Sequence, residues 1–301
     1  MGAVLALVFA PIVFSQTAID LSGPWRFAAD PTDAGVAGRW FEKKLEGTIR
    51  LPGSMTSNGL GDAIAPDSPW TGSIVNRVWL EDPASAPYLV PGKVKLPFWL
   101  NPVKIYVGAA WYQRDVQIPE RWRGQRVSLF LERCHWETRL WVDGREIGMQ
   151  NSLSTPHIYE LSEHLTPGPH ILTLRIDNRI KDIDVGVNAH SVSDHTQTNW
   201  NGVIGRLALE SEAAVFMDAI RVDVNFSERT ARLSVLVRNI GEAPAEGTLE
   251  VSARTVVGLL HRVAPASHPF AVAAGGERRL EVAYPLGLQA PLWDEFDPSL
   301  F

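Results

Sequence analysis

Cysteine is almost absent from this chain of 301 residues. The single thiol, Cys134, has no internal partner, so a disulfide scaffold is excluded. His135 follows it, but adjacent side chains on a strand point to opposite faces. The pair therefore reads as a buried structural thiol beside an imidazole, not as a thiolate–imidazole nucleophile. No Gly-rich phosphate loop, paired-Cys metal motif, HExxH or GxSxG is found either. Excess positive charge is missing too: Lys and Arg total 28 against 34 Asp and Glu, a formal net charge of -6. That balance gives no reason to expect nucleic acid or an anionic membrane as a partner. No repeat with a fixed period is visible.

Long apolar runs are likewise scarce. Met1–Ser15 is almost wholly apolar but too short to span a bilayer comfortably. It reads as the apolar part of a secretory signal, with residues 1–18 removed and the protein exported, although no Lys or Arg precedes Arg26 to form the usual basic leader.

What remains is ordinary for a globular protein of one large or two normal domains: 45% hydrophobic and 21% charged residues. The abundance of tryptophan, eleven in all, suits carbohydrate handling, while for any single Trp a place in the core is the simpler role. The patterning is that of strands and turns. Val127, Leu129 and Leu131 alternate with Ser128, Phe130 and Glu132. Leu140–Val142 runs into Asp143-Gly144, a hairpin-turn dipeptide. Leu172, Leu174 and Ile176 alternate with Thr173 and Arg175. Short alternating strands between Gly, Pro and Asp turns predict an all-β sandwich.

After about residue 212 a second block begins. Ile220, Val222 and Val224 alternate, as do Leu233, Val235 and Val237, then Leu249 and Val251, then Leu280, Val282 and Tyr284. This predicts a smaller immunoglobulin-like sandwich over 213–290. Residues 57–100 instead form a long Pro- and Gly-rich stretch containing Trp70, Trp79, Tyr88, Phe98 and Trp99. Such a loop within a compact domain is expected to be functional or disordered, and its aromatics favour an ordered flap on the sandwich.

The densest chemistry lies in 188–205. His190, Asp194, His195, Gln197, Asn199, Trp200 and Asn201 crowd a run without apolar periodicity. An aromatic face with many donors and acceptors is what a sugar site requires; a structural corner tied down by its own polar groups is the competing reading. His190, Asp194 and His195 match no standard zinc spacing, so no metal and no cofactor is expected. Glycoside cleavage needs two carboxylates across the scissile bond. Glu132 and Glu137 flank Cys134–Trp136, but both read as sheet-edge or surface charges.

Several segments, in order, resemble glycoside hydrolase family 2, the β-galactosidase, β-glucuronidase and β-mannosidase relatives. Ile19-Asp-Leu-Ser-Gly-Pro-Trp25-Arg-Phe resembles the opening strand, Leu51-Pro-Gly-Ser54 the Leu-Pro-Gly-Ser/Thr segment, and Ala109-Ala-Trp-Tyr-Gln-Arg-Asp115 with Pro119 the Trp-Tyr strand. Leu140-Trp-Val-Asp-Gly144 and Asn199-Trp-Asn-Gly-Val-Ile-Gly205 complete the series. The resemblance implies a galactose-binding-like jelly roll over 19–212, the immunoglobulin-like sandwich, and at 291–301 the start of a link to a (β/α)8 barrel. That barrel carries the catalytic glutamates in the family. The acid/base glutamate there follows Asn, and no Asn-Glu pair occurs here. The chain thus resembles the non-catalytic part of a β-glycosidase, inactive alone, with carbohydrate and a barrel domain as partners. By motif position Asp194, Asn199 and Trp200 face the sugar, with His190, His195 and Gln197 beside them, while Trp111 and Tyr112 pack the core or the barrel interface. A free-standing carbohydrate-binding module and an inactive relic with an interaction role remain open alternatives.

Overall fold

A computed structural model describes residues 17–68, 80–95, 104–181 and 199–301. Met1–Ser15, Trp70, Trp79, Phe98, Trp99, His190, Asp194, His195 and Gln197 lie outside the described residues. Helix among the described residues is confined to short 3-10 turns, so the chain is all-β, as its patterning predicts. It divides into two compact units.

The first unit takes in Thr17–Arg123 and Val127–Ser211. One sheet contains β1 (Thr17–Asp20), β4 (Gly53–Ser54), β6 (Arg126–Cys134), β9 (His157–Glu160) and β11 (Gly202–Glu212). Its order is β1-β11-β6-β9, with β4 also on β11. The other contains β2 (Gly23–Asp30), β3 (Gly47–Leu51), β5 (Ala109–Ile118), β7 (Glu137–Val142), β8 (Arg145–Asn151) and β10 (Gly168–Asp177), in the order β3-β2-β5-β10-β7-β8. Leu129, Leu131, Leu140, Leu172, Leu174 and Ile176, the alternating residues of the sequence, are buried in the core of this sandwich. Each such side chain contributes about 1.5–3 kcal/mol on burial. Trp25 is buried and its Nε1 donates to the Leu21 carbonyl at 2.9 Å, which explains its place in the opening motif. The Asp143-Gly144 turn joins β7 to β8 with φ of 50° and 81° at its two central residues, the geometry that favours this dipeptide.

Expected alternation fails on β10. Thr173 and Arg175 should face water, yet both are buried. The outer face of the sheet is covered by Val36, Trp40, Phe41 and Leu45, which pack on Trp111 and Trp141. Phe41 stacks on Trp141 with ring centroids 5.2 Å apart. Thr173 accepts from Gln113 Nε2 at 3.1 Å. Both faces of the strand are therefore inside. Trp111 and Tyr112 are wholly buried, and Cys134 is as well; burial pushes its thiol pKa up, which suits an inert thiol. Tyr88, the described aromatic of the 57–100 stretch, is exposed.

The second unit comprises Glu212–Phe301 with Gly124–Arg126. β12 (Val215–Asn225), β13 (Thr230–Asn239) and β16 (Glu277–Pro285) form one sheet, ordered β12-β13-β16. β14 (Ala245–Arg254) and β15 (Arg262–Val272) form the other. Its core cluster is Val251, Val282 and Tyr284, with Leu233, Leu249, Ala253 and Val263 partly buried around them. The stripe on β12 departs from expectation: Ile220, Val222 and Val224 are 56%, 54% and 45% exposed.

Candidate functional site

Two stretches distant in sequence meet at the start of β11. Gly202 pairs with Ser54 and Val203 with Gly53. Gly202 has φ +148°, and a Cβ there would lie 2.2 Å from the Gly53 carbonyl oxygen. No other residue permits that approach, so the glycines of the Leu51–Ser54 and Asn199–Gly205 segments serve one contact. Asn201 is wholly buried beside it. Its Nδ2 donates to the carbonyls of Gly108 and Ile176, and its Oδ1 accepts from the Tyr112 hydroxyl at 2.6 Å. The polar wealth of the run is in this part structural.

Asn199 and Trp200 converge on the β6–β7 corner. Asn199 is buried, and its Nδ2 donates to the Asn178 carbonyl at 3.1 Å. That bond turns its Oδ1 toward His135 Nδ1, 2.5 Å away. An amide oxygen only accepts, so Nδ1 carries the hydrogen. The imidazole lies between two indoles, 4.7 Å from Trp136 and 5.2 Å from Trp200, stacked on both. Burial pushes the His135 pKa down to about 4, against the opposing effect of its hydrogen bonds to Asn199 and the Trp200 backbone. The ring is neutral at pH 7. Trp136 is buried and its Nε1 has no hydrogen-bond partner among the described residues. Trp200 is only half-buried.

On the other side of the same segment stands a cluster of charges. Asp177, at the end of β10, is wholly buried. It accepts from Arg175 Nη2 at 2.9 Å and Arg179 Nη2 at 2.6 Å, with Lys181 Nζ at 2.7 Å. Arg175 also donates to Glu137 at 2.8 Å and Asp33 at 2.6 Å. Arg179 reaches Asp33 and Lys181 reaches Glu137. Three cations thus meet three carboxylates. Burial alone would raise the Asp177 pKa, but hydrogen bonds from Arg179 and Lys181 outweigh it and hold the carboxyl well below the usual range. The expectation for Glu137 is corrected here: it is no surface charge but a largely buried member of this cluster. Glu132 is exposed, as expected, and accepts the Arg206 N–H at 2.6 Å.

Asp194, His190, His195 and Gln197 lie outside the described residues, between Lys181 and Asn199. Lys181 lies in the charge cluster, and Asn199 is bonded to His135 and Asn178. His135, Trp136 and the charge cluster were not nominated from sequence. The signal present was Arg175–Lys181, where strand alternation gives way to four charged residues around Asn178.

Comparisons with known proteins agree with this architecture. No family model matches. Over 163 residues the chain is 23% identical to a β-glucuronidase of Paenibacillus borealis, which takes in 54% of this chain and 21% of that protein. Over 164 residues it is 27% identical to a β-galactosidase of an Arthrobacter species, 52% of this chain and 15% of the relative. Among solved structures, a Bacteroides uniformis β-glucuronidase superposes with a TM-score of 0.64 at 16% identity, over 95% of this chain and 29% of that one. A β-glucuronidase of glycoside hydrolase family 2 gives 0.60 at 14% identity, over 91% and 27%. The resemblance carried by the motifs is thus shown: the chain is similar in sequence to β-glucuronidases and a β-galactosidase, and in fold to a family 2 β-glucuronidase. It spans well under a third of those proteins.

Proposed function

We propose that this chain is the non-catalytic, two-sandwich part of a family 2 glycoside hydrolase acting on β-linked sugars, and that the His135–Trp200 corner presents residues to the sugar. The observation that carries this is the half-buried Trp200 ring, held face to face with a neutral imidazole whose orientation Asn199 sets. A rigid aromatic face is suited to the apolar side of a pyranose. In this reading Asp194, His190, His195 and Gln197 supply further polar contacts, with Asn199 as positioning residue. Export of the protein belongs to the same reading.

The nearby carboxylates are unsuited to act as a general acid. A general acid needs a raised pKa, whereas Asp33 and Asp177 are held low by their cations. Neither is therefore suited to the general-acid role. With the pure chain, a chromogenic β-glucuronide and β-galactoside should show no turnover. Calorimetric titration with glucuronate or galactose should show saturable binding that Trp200→Ala abolishes without loss of the circular dichroism spectrum. Turnover by the chain, or sugar binding indifferent to Trp200→Ala, would overturn the proposal.

A further inference from the structure

The second sandwich contains an open cavity of about 970 Å³ between its two sheets. Val222, Val224 and Phe226 line one wall, and Trp293, Leu300 and Phe301 another. This size is at the upper end for a small-molecule pocket. Its charge is unusual for an acidic chain. Arg229, Arg254 and Arg262 line it, and among its described lining residues there is no Asp, Glu or His. None of the three guanidinium groups has an ion-pair partner among the described residues, where most other arginines do.

Two details show that this is more than surface decoration. Arg254 and Arg262 stand directly opposite each other across the β14–β15 ladder, a like-charge pairing that destabilises a hairpin unless an anion bridges it. Arg229 is only half-exposed, and its Nη1 is buried with no hydrogen-bond partner among the described residues. A buried guanidinium donor left unsatisfied costs more than an ordinary lost bond.

We infer that this cavity binds an amphiphilic carboxylate, a single apolar tail lying between the sheets with its carboxylate on the arginines. A planar guanidinium fork matches a carboxylate bidentately, and the exposed Val222, Val224 and Trp293 side chains are those the tail would cover. The inference concerns Glu212–Phe301 alone and does not depend on the sugar reading.

Calorimetry on the 301-residue chain tests it, with dodecanoate below its micelle concentration as probe. Dodecanoate should bind saturably at one per chain. Dodecanol, with the same tail and no charge, and acetate, with the charge and no tail, should each bind at least about ten-fold more weakly. Arg229→Gln should weaken dodecanoate about ten-fold, the usual effect of losing one hydrogen bond to a charged group. Arg262→Gln, at the exposed rim, should weaken it as well and guards against misfolding of the first variant. Equal binding of dodecanol, tighter binding of dodecyl phosphate, no saturable binding, or affinity unchanged in both variants would each overturn the assignment. So would chain dimerisation that dodecanoate does not reverse.

Discussion

The two sandwiches share a β architecture but differ in how they bury it. In the first, strands are covered on the inner face by a continuous core and, along β5, β7 and β10, on the outer face by Trp40, Phe41 and Leu45. In the second, a short core of Val251, Val282 and Tyr284 leaves the β12 stripe open to solvent. The same apolar alternation that marks burial in β10 marks exposure in β12. Period tells which residues share a face, but only a facing layer decides whether that face is dry.

This contrast can be broken by mutation. The largest effect is expected at Arg175, where the first sandwich has put charge inside. Arg175→Met removes the cation shared by Asp33, Glu137 and Asp177 and leaves buried carboxylates short of a partner, at about 3–5 kcal/mol. Urea unfolding followed by tryptophan fluorescence should show the loss in the first sandwich; a change below about 1 kcal/mol would mean that the remaining ions rearrange to compensate.

Next comes the imidazole. The His135 pKa is pushed down to about 4 in the fold, from an ordinary 6.5. Between those values the unfolded chain binds more protons than the native one, so stability is complete above about pH 6.5 and is lost as pH falls toward 4. The loss approaches roughly 3 kcal/mol for a shift of this size. Urea midpoints at pH 7 and 4.5 should differ far less in His135→Gln. Some slope should persist in that variant, because burial also lowers the His157 pKa. Equal slopes in both proteins would show that His135 is solvated.

A last pair of substitutions, whose second member has the smallest effect of all, sharpens the comparison directly. Leu174→Ala in the first sandwich should cost about 2–5 kcal/mol by opening a cavity. Val222→Thr on the exposed stripe should stay within about 0.5 kcal/mol. Similar costs at both positions would mean that the β12 face is covered in solution.

Much of this was legible in the chain itself. Strand alternation predicted β6, β10, β12 and β13, and Asp143-Gly144 predicted the β7–β8 hairpin, because these follow from local geometry. The site was half legible. Asn199 and Trp200 stood out by composition, whereas His135 was weighed only against Cys134. Its true neighbours, Asn199 and Trp200, are more than sixty positions away and become so only through the approach of β11 to the β6–β7 corner. Glu137 misled for a related reason. A charge on a strand reads as surface until a second charged strand end, Arg175–Lys181, folds over it.

The sequence alone determined the all-β class, the change of character after residue 212 and the inert thiol, since side-chain period, turn chemistry and cysteine count act locally. Tertiary structure decided which polar groups are spent on the fold: Asn201 is consumed by backbone carbonyls and Asp177 by three cations, while the Trp136 N–H and Arg229 Nη1 have no partner among the described residues. Hydrogen bonding and ion pairing are settled by what lies within about 3 Å in space, and no one-dimensional pattern records that distance.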